Sequence, residues 1–312
     1  MHNDGKIKWE RLVRALEPGG SFVRAAKLAG GVSADVTLLE WQRPSGEVAR
    51  AVVRQHGAAD LRRNPRLAED EFKLLRWLED AGLPVPGALY ADPDGELLGS
   101  PCVVTRYAEG TTTIGEARVE RAVEEMAAVL ARIHRAGFGQ AGGLAAFLPA
   151  CADIVSAKLS HRSAEPDESL SESRIRAALL EVWPPRGRNG DTLLHGDFWP
   201  GNLLWRDGRL AAVLDWEDAA AGDPLSDLAN GRLELLWSYG AEAMDAFTHA
   251  YEAHMTGIVD FSDLSVWELY AALRPAGSLA SWGLPAEAET RMRERHRWFV
   301  EAALRRLAES TS

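Results

Sequence analysis

Asp197 and Asn202 stand five positions apart in a loop predicted after one apolar run, and Asp215 follows the next apolar run. A carboxylate such as Asp197 can accept a proton from an attacking hydroxyl. The amide oxygen of Asn202 can hold Mg²⁺ without adding negative charge beside a phosphate, and Asp215 can supply the carboxylate that bridges the metal to ATP. These groups in this order suit the transfer of a phosphoryl group from ATP to a hydroxyl.

The segment between these residues carries a turn signal that folds the chain back on itself. Residues 206–209 read Arg-Asp-Gly-Arg between two apolar runs, and Asp-Gly in this setting is a strong hairpin signal. If the two central residues form the loop, the pairing sets Asp215 opposite Pro200 and beside Asn202. A longer turn would shift this register by a residue or two. The hairpin predicts that Asn202 and Asp215 share one metal ion.

Residues 192–205 read TLLHGDFWPGNLLW, and residues 212–217 read AVLDWE. They resemble the catalytic loop and metal-binding strand of kinases, in the variant of the aminoglycoside phosphotransferase and choline kinase family of small-molecule kinases. The resemblance implies ATP and Mg²⁺ as cofactors, Asp197 as catalytic base, Asn202 and Asp215 as metal ligands, and antibiotic resistance as one expected role. Each residue alone could instead be an ordinary turn former. The acceptor would be a hydroxyl of a small molecule.

Two further residues of this segment are expected to support the loop. His195 precedes the base by two positions, and in kinase-like sites such a histidine braces the loop by hydrogen bonds. Asp227 lies in residues 222–229, which match the family pattern after the metal strand. It is interpreted as a helix cap or a loop brace.

The first hundred residues are predicted to form strands and turns followed by one helix. Strands are expected at 22–28, 36–41 and 48–55, and a helix at 65–81. This order resembles the small lobe of a kinase. Gly30, Gly31 and Ser33 could then hold ATP phosphates through backbone N–H groups, although a plain hairpin turn is an equal alternative.

Arg54 in the third strand aligns with the place where kinases carry a lysine that grips the α and β phosphates. Glu71 on the helix aligns with its acidic partner. Arginine departs from the protein-kinase pattern, but it can neutralise phosphate and pair with a carboxylate. The alternative for Glu71 is a solvated helix face.

The fold class predicted is α+β, a two-lobed protein-kinase-like fold with an N-terminal antiparallel sheet plus helix and a mainly helical C-terminal lobe. Residues 96–110 are expected to be two strands that run into a hinge at Arg106, Tyr107 and Ala108, which in kinases meets the adenine. The predicted domains are residues 1–105, for nucleotide binding, and 106–312, for catalysis and substrate binding. C-terminal helices are expected at 228–239, 244–251, 266–273 and 286–308, whereas 153–188 is weakly patterned, with an exposed loop at 163–168.

Candidate substrate groups share aromatic or acidic character and lie near the proposed base in sequence or could face it. They are Trp199, Trp216, Glu217, Asp218 and Trp237. Aromatic faces can hold a cation or a sugar ring. Most of the 11 tryptophans are nevertheless expected in the core, because large aromatic side chains dominate buried area.

Composition limits the possible partners of the 312-residue chain. Its net charge of −11 argues against nucleic acid, since such binding relies on Lys and Arg. No apolar run approaches a bilayer span and the first residues form no signal peptide, so a cytoplasmic protein without a membrane partner is expected. Cys102 and Cys151 are expected to be buried thiols. The sequence does not determine the oligomeric state.

Two other functions stay open at this point. One is a kinase-shaped module that binds a nucleotide or ligand without phosphotransfer. The other is metal-dependent hydrolysis through His195 and Asp197, for which the further His or Cys ligands of a zinc site are lacking. The sequence leaves open whether the acceptor is an aminoglycoside, another antibiotic, an amino alcohol or a sugar-like metabolite. It also leaves open whether ATP or GTP is the donor.

Overall fold

The structure is a computed structural model that describes residues 3–28, 34–115, 118–144, 146–161, 164–187 and 189–311. The chain divides into two compact units. The first unit contains Met1–Gly110 and Ala211–Glu217, and the second contains Thr111–Leu210 and Asp218–Ser312.

Helices and strands of the described residues are numbered in chain order. The helices are α1 (Asn3–Leu16), α2 (Ala58–Arg63), α3 (Leu67–Asp80), α4 (Val119–Gly137), α5 (Ala141–Leu144), α6 (Cys151–Ser160), α7 (Glu172–Val182), α8 (Leu225–Tyr239), α9 (Ala241–Met255), α10 (Leu264–Leu273) and α11 (Ala286–Thr311). The strands are β1 (Ser21–Lys27), β2 (Ala34–Gln42), β3 (Val48–His56), β4 (Ala88–Asp92), β5 (Cys102–Arg106), β6 (Thr192–Leu194), β7 (Leu203–Arg206), β8 (Arg209–Val213) and β9 (Ala220–Gly222).

The first unit is built on a five-stranded antiparallel sheet in the order β1-β2-β3-β5-β4. Alternate side chains of β3, among them Ala51 and Val53, are buried against α1 residues such as Leu12. Because side chains of a strand alternate between its two faces, Arg54 lies on the face opposite to Val53. The helix α3 contacts β4 and β5, which brings the buried Glu71 to the sheet.

The strands predicted at 22–28, 36–41 and 48–55 correspond to β1, β2 and β3, and the helix predicted at 65–81 corresponds to α3. The prediction of a single helix in this region is wrong, because α1 and α2 are also helical. Leu12 and Val13 of α1 are fully buried, so tertiary packing stabilises this otherwise polar helix.

The prediction of two strands within residues 96–110 is also wrong for the first of them. β5 pairs with β3 and with β4, which lies at Ala88–Asp92. The Asp92 carboxylate accepts the backbone N–H groups of Glu96 and Leu97, so these residues form a turn after the strand.

The second unit is mainly helical, with α8 in contact with α9, α10 and α11, and α4 packed on α9. The helix α4 buries an apolar stripe at Val123, Met126, Leu130 and Ile133, which are spaced three and four positions apart. The four predicted C-terminal helices correspond to α8, α9, α10 and α11. Residues 153–188, whose sequence is weakly patterned, contain most of α6 and the whole of α7, and each of these helices buries three residues.

The predicted hairpin turn is confirmed. Asp207 and Gly208 connect β7 to β8 with φ angles of +52° and +75°, and positive φ at both central residues is the pattern of a type I′ turn. The predicted α+β class, with an N-terminal antiparallel sheet and a helical C-terminal region, is confirmed as well. Both cysteines are buried and free, as expected. No helix within the described ranges combines the length and apolar character that a bilayer crossing requires.

Candidate active site

The segment from β6 to β7 forms the loop that carries Asp197 and Asn202. β6 is buried and antiparallel to β9, and one turn of 3-10 helix at Pro200–Asn202 leads into β7. Gly196 has a φ of +83°, and a Cβ atom there would lie 1.9 Å from the carbonyl oxygen of Asp218. Glycine is therefore the residue that fits immediately before Asp197.

The side chains of Asp197 and Asn202 are in direct contact. Nδ2 of Asn202 donates to the main-chain oxygen of Asp197 at 2.9 Å and to its Oδ2 at 3.1 Å. Asn202 is buried, whereas the side chain of Asp197 is 36% exposed. Because Nδ2 faces Asp197, the amide oxygen of Asn202 faces away from it and is the atom that can bind a cation. These positions suit a base and a metal ligand, and the two roles stay predictions.

The buried carboxylate of Asp227 braces this loop. Its Oδ2 accepts the backbone N–H of His195 at 2.6 Å, and its Oδ1 accepts that of Gly196 at 2.9 Å. Nε2 of His134 lies 3.3 Å from Oδ2, and Nδ1 of His134 is hydrogen-bonded to the Tyr251 hydroxyl at 2.6 Å. Burial acts to raise the pKa of Asp227, but the hydrogen bonds of His134 and of the His195 backbone outweigh it and lower this pKa. Asp227 is thus a loop brace and not a helix cap.

His195 also supports the loop from within. Its side chain is fully buried, and its Nδ1 accepts the backbone N–H of Asp197 at 3.2 Å. Phe198 packs edge-on against the imidazole, with 5.9 Å between ring centroids. These contacts fix the backbone on both sides of the carboxylate, in agreement with the bracing role expected for this histidine.

One face of α8 carries polar groups along the loop. Asp227, Asn230 and Glu234 recur at intervals of three and four residues, which places them on the same side of the helix. Nδ2 of Asn230 donates to the carbonyl oxygen of Phe198 at 3.3 Å, and its Oδ1 accepts from Nη1 of Arg274 at 2.6 Å. Asn230 therefore connects the loop to an arginine that follows α10.

Arg274 places its guanidinium beside the proposed base. Its Nη2 lies 3.5 Å from Oδ1 of Asp197, and its side chain is 29% exposed. Burial acts to lower the pKa of Arg274, but nearby acidic groups, of which Asp197 contributes most, raise it above the ordinary value. Sequence reasoning misses Asn230, Glu234 and Arg274. The polar spacing within an otherwise apolar α8 is a signal that could find the first two, whereas Arg274 has no local signal.

Glu234 is a half-buried acid in this part of the second unit. Burial, together with the negative charge of Asp197, raises the pKa of Glu234 to about 8, although Arg274 acts to lower it. Because the folded protein holds this proton more tightly than the unfolded chain, ionisation of Glu234 destabilises the fold as the pH rises from about 4.5 to about 8.

Removing this ionisable group should change how stability depends on pH. We expect Glu234→Gln to melt close to the wild type at pH 5 and at least about 2 °C above it at pH 9, because Gln does not ionise. Thermal unfolding at both pH values measures the difference. Glu242→Gln, at an exposed position of α9, is the matched control. A constant offset between the wild type and Glu234→Gln across this pH range would contradict the prediction.

In the first unit, Arg54 is the centre of a group of acidic side chains. Its Nη2 lies 2.5 Å from Oε2 of Glu217 and 2.7 Å from Oδ1 of Asp215. Its Nη1 lies 3.7 Å from Oε1 of Glu71. Burial acts to lower the pKa of Arg54, but the three carboxylates raise it, so the guanidinium stays charged. The structure thus brings together Arg54 and Glu71, and it adds Glu217, which the sequence suggested as a substrate group.

Three carboxylates share one guanidinium in this cluster, so negative charge is in excess. Burial raises the pKa of Glu71 to about 7, although Arg54 acts to lower it. Nε2 of His56 lies 3.2 Å from Oε2 of Glu71, and burial lowers the pKa of His56 to about 4. Oε2 of Glu71 and Oδ1 of Asp215 are both buried, and the charge partner of Oδ1 of Asp215 is Nη2 of Arg54. An excess of buried carboxylate oxygen is a suitable environment for a cation.

Asp215 has an uncommon backbone conformation. Its φ angle is +63°, in the left-handed region that few residues other than glycine adopt, although Asp tolerates it better than most. Such backbone outliers concentrate at functional sites. Trp216 follows it in the core, and its Nε1 donates to the carbonyl oxygen of Val213 at 3.2 Å. This contact anchors the chain next to Asp215.

The predicted hinge residues belong to the end of β5 and the segment after it. Nη1 of Arg106 lies 2.5 Å from Oε1 of Glu79, and the guanidinium of Arg50 lies 5.3 Å from the ring centroid of Tyr107. Ala108 is half-buried. The adenine-binding role of residues 106–108 stays a prediction. Gly30, Gly31 and Ser33 lie outside the described residues.

The predicted substrate residues occupy different environments. Trp199 is 37% exposed, and its ring lies so close to Gly201 that a Cβ atom there would meet it at 2.2 Å. Trp216 and Trp237 lie in the core, at 2% and 4% exposure. Asp218 belongs to the second unit, where its negative charge contributes to the raised pKa of Arg274. Trp199 and Asp218 are therefore the two of these candidates that the structure associates with the Asp197 loop.

The described residues contain no set of side chains that could bind a zinc ion. No group of three or more His, Cys, Asp or Glu side chains there has an arrangement that could hold a metal ion. This result does not concern a magnesium site that uses an amide oxygen such as that of Asn202.

Comparisons with known proteins relate most of the chain to one family. The sequence model of the phosphotransferase enzyme family matches residues 24–261. Acyl-CoA dehydrogenase family member 10 of Mus musculus is 29% identical over 195 residues, which are 57% of this chain and 18% of that protein. Hygromycin-B 4-O-kinase of Escherichia coli is 28% identical over 172 residues, 50% of each chain. Homoserine kinase of Beijerinckia indica is 32% identical over 148 residues, 43% of this chain and 42% of that one. The chain therefore spans half or less of the length of these relatives.

Solved structures show the same fold at low sequence identity. The ternary complex of a thermostable aminoglycoside phosphotransferase, APH(4)-Ia, with AMP-PNP and hygromycin B has a TM-score of 0.65 at 19% identity, and covers 94% of this chain and 97% of its own. The GDP and kanamycin complex of APH(2")-IIia has a TM-score of 0.60 at 17% identity, and covers 98% of each chain. These similarities confirm the predicted fold class.

Proposed function

Because this chain belongs to the phosphotransferase enzyme family, we propose that it transfers the γ-phosphoryl group of ATP to a hydroxyl of a small molecule. The observation that carries this proposal is the contact between Asp197 and Asn202, in a loop whose backbone is held by Asp227. A loop fixed in this way holds the reacting groups in place before the substrates arrive, which lowers the barrier of a reaction that depends on positioning.

In the proposed reaction, the carboxylate of Asp197 orients the acceptor hydroxyl and accepts its proton. The hydroxyl oxygen forms a bond to the γ-phosphorus, the bond from that phosphorus to the β,γ-bridging oxygen breaks, and ADP leaves. The hydrogen bond from Nδ2 of Asn202 holds Oδ2 of Asp197 in place. The partial exposure of Asp197 leaves the carboxylate accessible to an acceptor.

The nucleotide phosphates are assigned to Arg54 in this proposal. The contacts of Arg54 with Glu71 and Glu217 orient its guanidinium for this role, so Glu217 belongs to the phosphate-binding group and not to the acceptor pocket. A guanidinium can pair with phosphate oxygens in a bidentate manner. Backbone groups at Gly30, Gly31 and Ser33 and at 106–108 complete the proposed nucleotide site.

Mg²⁺ is assigned to Asp215 and Asn202, whose donor atoms fit it. Oδ1 of Asp215 is a buried carboxylate oxygen paired with Arg54, and the amide oxygen of Asn202 faces away from Asp197. Oxygen donors of these two kinds are the ligands that Mg²⁺ prefers. When bound, the metal would neutralise the charge that develops on the phosphates.

This assignment makes a prediction for Asp215→Asn, a change that the left-handed backbone tolerates. We expect the affinity for Mg-ATP to fall by about 10- to 100-fold and more Mg²⁺ to be needed for turnover, because a neutral amide is a weaker ligand than a carboxylate. Isothermal titration with Mg-AMP-PNP at several Mg²⁺ concentrations measures the loss. Asp207→Asn, in the exposed hairpin turn, is the matched control. An unchanged affinity and Mg²⁺ dependence would rule out Asp215 as a ligand.

The acceptor is proposed to be a hydroxylated small molecule that approaches the Asp197 loop past Trp199 and Asp218. The names of the two kinase relatives suggest an antibiotic or an amino acid as possible acceptors. Amino alcohols and sugar-like metabolites remain within the same proposal. An antibiotic acceptor would make the protein a resistance enzyme of the cytoplasm.

The function is tested by incubating the purified chain with Mg-ATP or Mg-GTP and a panel of acceptors. The panel contains hygromycin B, kanamycin, L-homoserine, ethanolamine and a hexose. Release of ADP or GDP together with a phosphorylated product identified by mass spectrometry supports the proposal. The ratio of the turnover rates with Mg-ATP and Mg-GTP gives the nucleotide preference. Nucleotide binding without any phosphorylated product would favour the alternative of a binding module.

A further inference from the structure

Arg274 places a cation against Asp197, and the proposed reaction does not yet use it. We propose that Arg274 is a catalytic cation that contacts the transferring phosphoryl group and neutralises its developing charge, and that Asn230 positions it. This inference rests on the proposed function. It adds a group to that reaction from α10, far from the catalytic loop in sequence.

The contacts of Arg274 leave donors for a substrate. Nη1 donates to Oδ1 of Asn230 at 2.6 Å, whereas Nη2 reaches Oδ1 of Asp197 only at 3.5 Å. A guanidinium has five N–H donors in a planar fork, and these two contacts engage two of them. The short bond to Asn230 is thus the anchor, and the long contact with Asp197 is one that a better acceptor could replace.

The position of Asp197 limits how far the attacked phosphorus can lie from Arg274. A base lies about 2.6–3.2 Å from the hydroxyl that it deprotonates, and that oxygen lies about 3–3.5 Å from the phosphorus that it attacks. The phosphorus must therefore come within about 6–7 Å of the Asp197 carboxylate. Nη2 of Arg274 is 3.5 Å from that carboxylate. The proposal places the phosphoryl group on the side of Asp197 that Arg274 occupies, where rotation of the long side chain brings Nη2 to a phosphoryl oxygen. A cation at this place stabilises a phosphoryl-transfer transition state strongly.

The burial and the two hydrogen bonds of Asn230 suit it to position Arg274. It is buried at 5% exposure on the polar face of α8, and it binds the carbonyl oxygen of Phe198, the residue after Asp197, with its other end. One amide therefore fixes Arg274 relative to the catalytic loop. The acidic neighbours that raise the pKa of Arg274 keep its charge in a largely buried place.

The test compares wild type, Arg274→Lys and Arg274→Gln, with Arg297→Gln on the exposed side of α11 as the matched control. Titration calorimetry measures the affinity for Mg-ADP alone and with aluminium fluoride, which mimics the phosphoryl group in flight. For Arg274→Gln we expect Mg-ADP affinity within about 2-fold of wild type, and loss of most of the extra affinity that fluoride gives to the wild type. Release of ADP from Mg-ATP, with water as acceptor, should fall by about 10²- to 10³-fold, with partial recovery in Arg274→Lys.

A second readout separates a charge at the phosphoryl group from a structural role. Guanidinium added at low millimolar concentration should restore part of the ADP release of Arg274→Ala and leave the wild type and Arg297→Gln unchanged. Arg274→Gln binding Mg-ADP with aluminium fluoride as tightly as the wild type would overturn the proposal for Arg274 and leave the proposed function standing. A wild type that gains no affinity with fluoride and makes no phosphorylated product would overturn both.

Discussion

Asp197→Asn should lower the turnover of the acceptor by about 10²- to 10⁴-fold, because an amide cannot take the proton that the attacking hydroxyl gives up. The substitution keeps the size of the side chain. The amide oxygen can still accept the hydrogen bond from Nδ2 of Asn202, so the loop should keep its conformation. The loss is therefore expected in kcat, with little change in the affinity for Mg-ATP.

Initial rates over a range of ATP and acceptor concentrations measure this effect. Asp207→Asn is a fitting control, since Asp207 is an exposed acid in the hairpin after the same loop, and Asn tolerates its positive φ of +52°. We expect Asp207→Asn to turn over like the wild type. If Asp197→Asn kept full kcat with a genuine acceptor, Asp197 would have no part in proton transfer.

Asp227→Ala should destabilise the protein by about 3–5 kcal/mol, with a smaller loss for Asp227→Asn. The carboxylate accepts the backbone N–H groups of His195, which is buried, and of Gly196, which is partly buried, and its removal takes this acceptor from both. The side chain of Asn keeps one acceptor oxygen for one backbone N–H. Its amide NH₂ group would face the other backbone N–H, and two donors form no hydrogen bond. The same substitutions should slow turnover, because the backbone on the N-terminal side of Asp197 is no longer fixed.

The pH dependence of this loss has a defined sign. The pKa of Asp227 is lowered in the folded protein, so its contribution is complete above the pKa of about 3.9 of the unfolded chain and is lost as the pH falls through the folded value. Urea unfolding should thus show a constant gap between wild type and Asp227→Asn from pH 6 to 8, and a shrinking gap below about pH 4. Asp245→Asn, on the exposed side of α9, is the control. A gap that persists undiminished in acid would mean that the Asp227 carboxylate is not the stabilising group.

Elements with strong local signals were predictable. Periodic apolar residues predicted β2, β3 and α3, and Asp-Gly predicted the hairpin turn, because these features depend on neighbours along the chain. α1, α2, α6 and α7 were missed, since each buries three of its described residues or fewer and is stabilised by tertiary packing. The first of the two strands expected within 96–110 does not form, because the Asp92 side chain accepts hydrogen bonds from Glu96 and Leu97 and holds the chain in a turn.

Site residues divide in the same way. Asp197, Asn202, Asp215 and Arg54 stand out by residue type and spacing, and the family resemblance that they indicate is confirmed. Glu217 was assigned to the substrate by its place in sequence, yet in the structure its carboxylate lies on Arg54. Trp216 and Trp237 show why aromatic residues near a motif are weak predictors of binding, since burial alone accounts for them.

The family, the order of the chemical groups and the local turns can be recognised in the sequence, because a short motif encodes each of them within a few residues. Which distant charges meet depends on how the whole chain packs. Arg274 reaches Asp197 across 77 positions, and Arg54 meets Glu217 across 163. Such pairs are made by the packing of whole helices and strands, and no local pattern in the sequence records them. The physical reason is that the energy of a buried charge depends on every group around it, wherever that group lies along the chain.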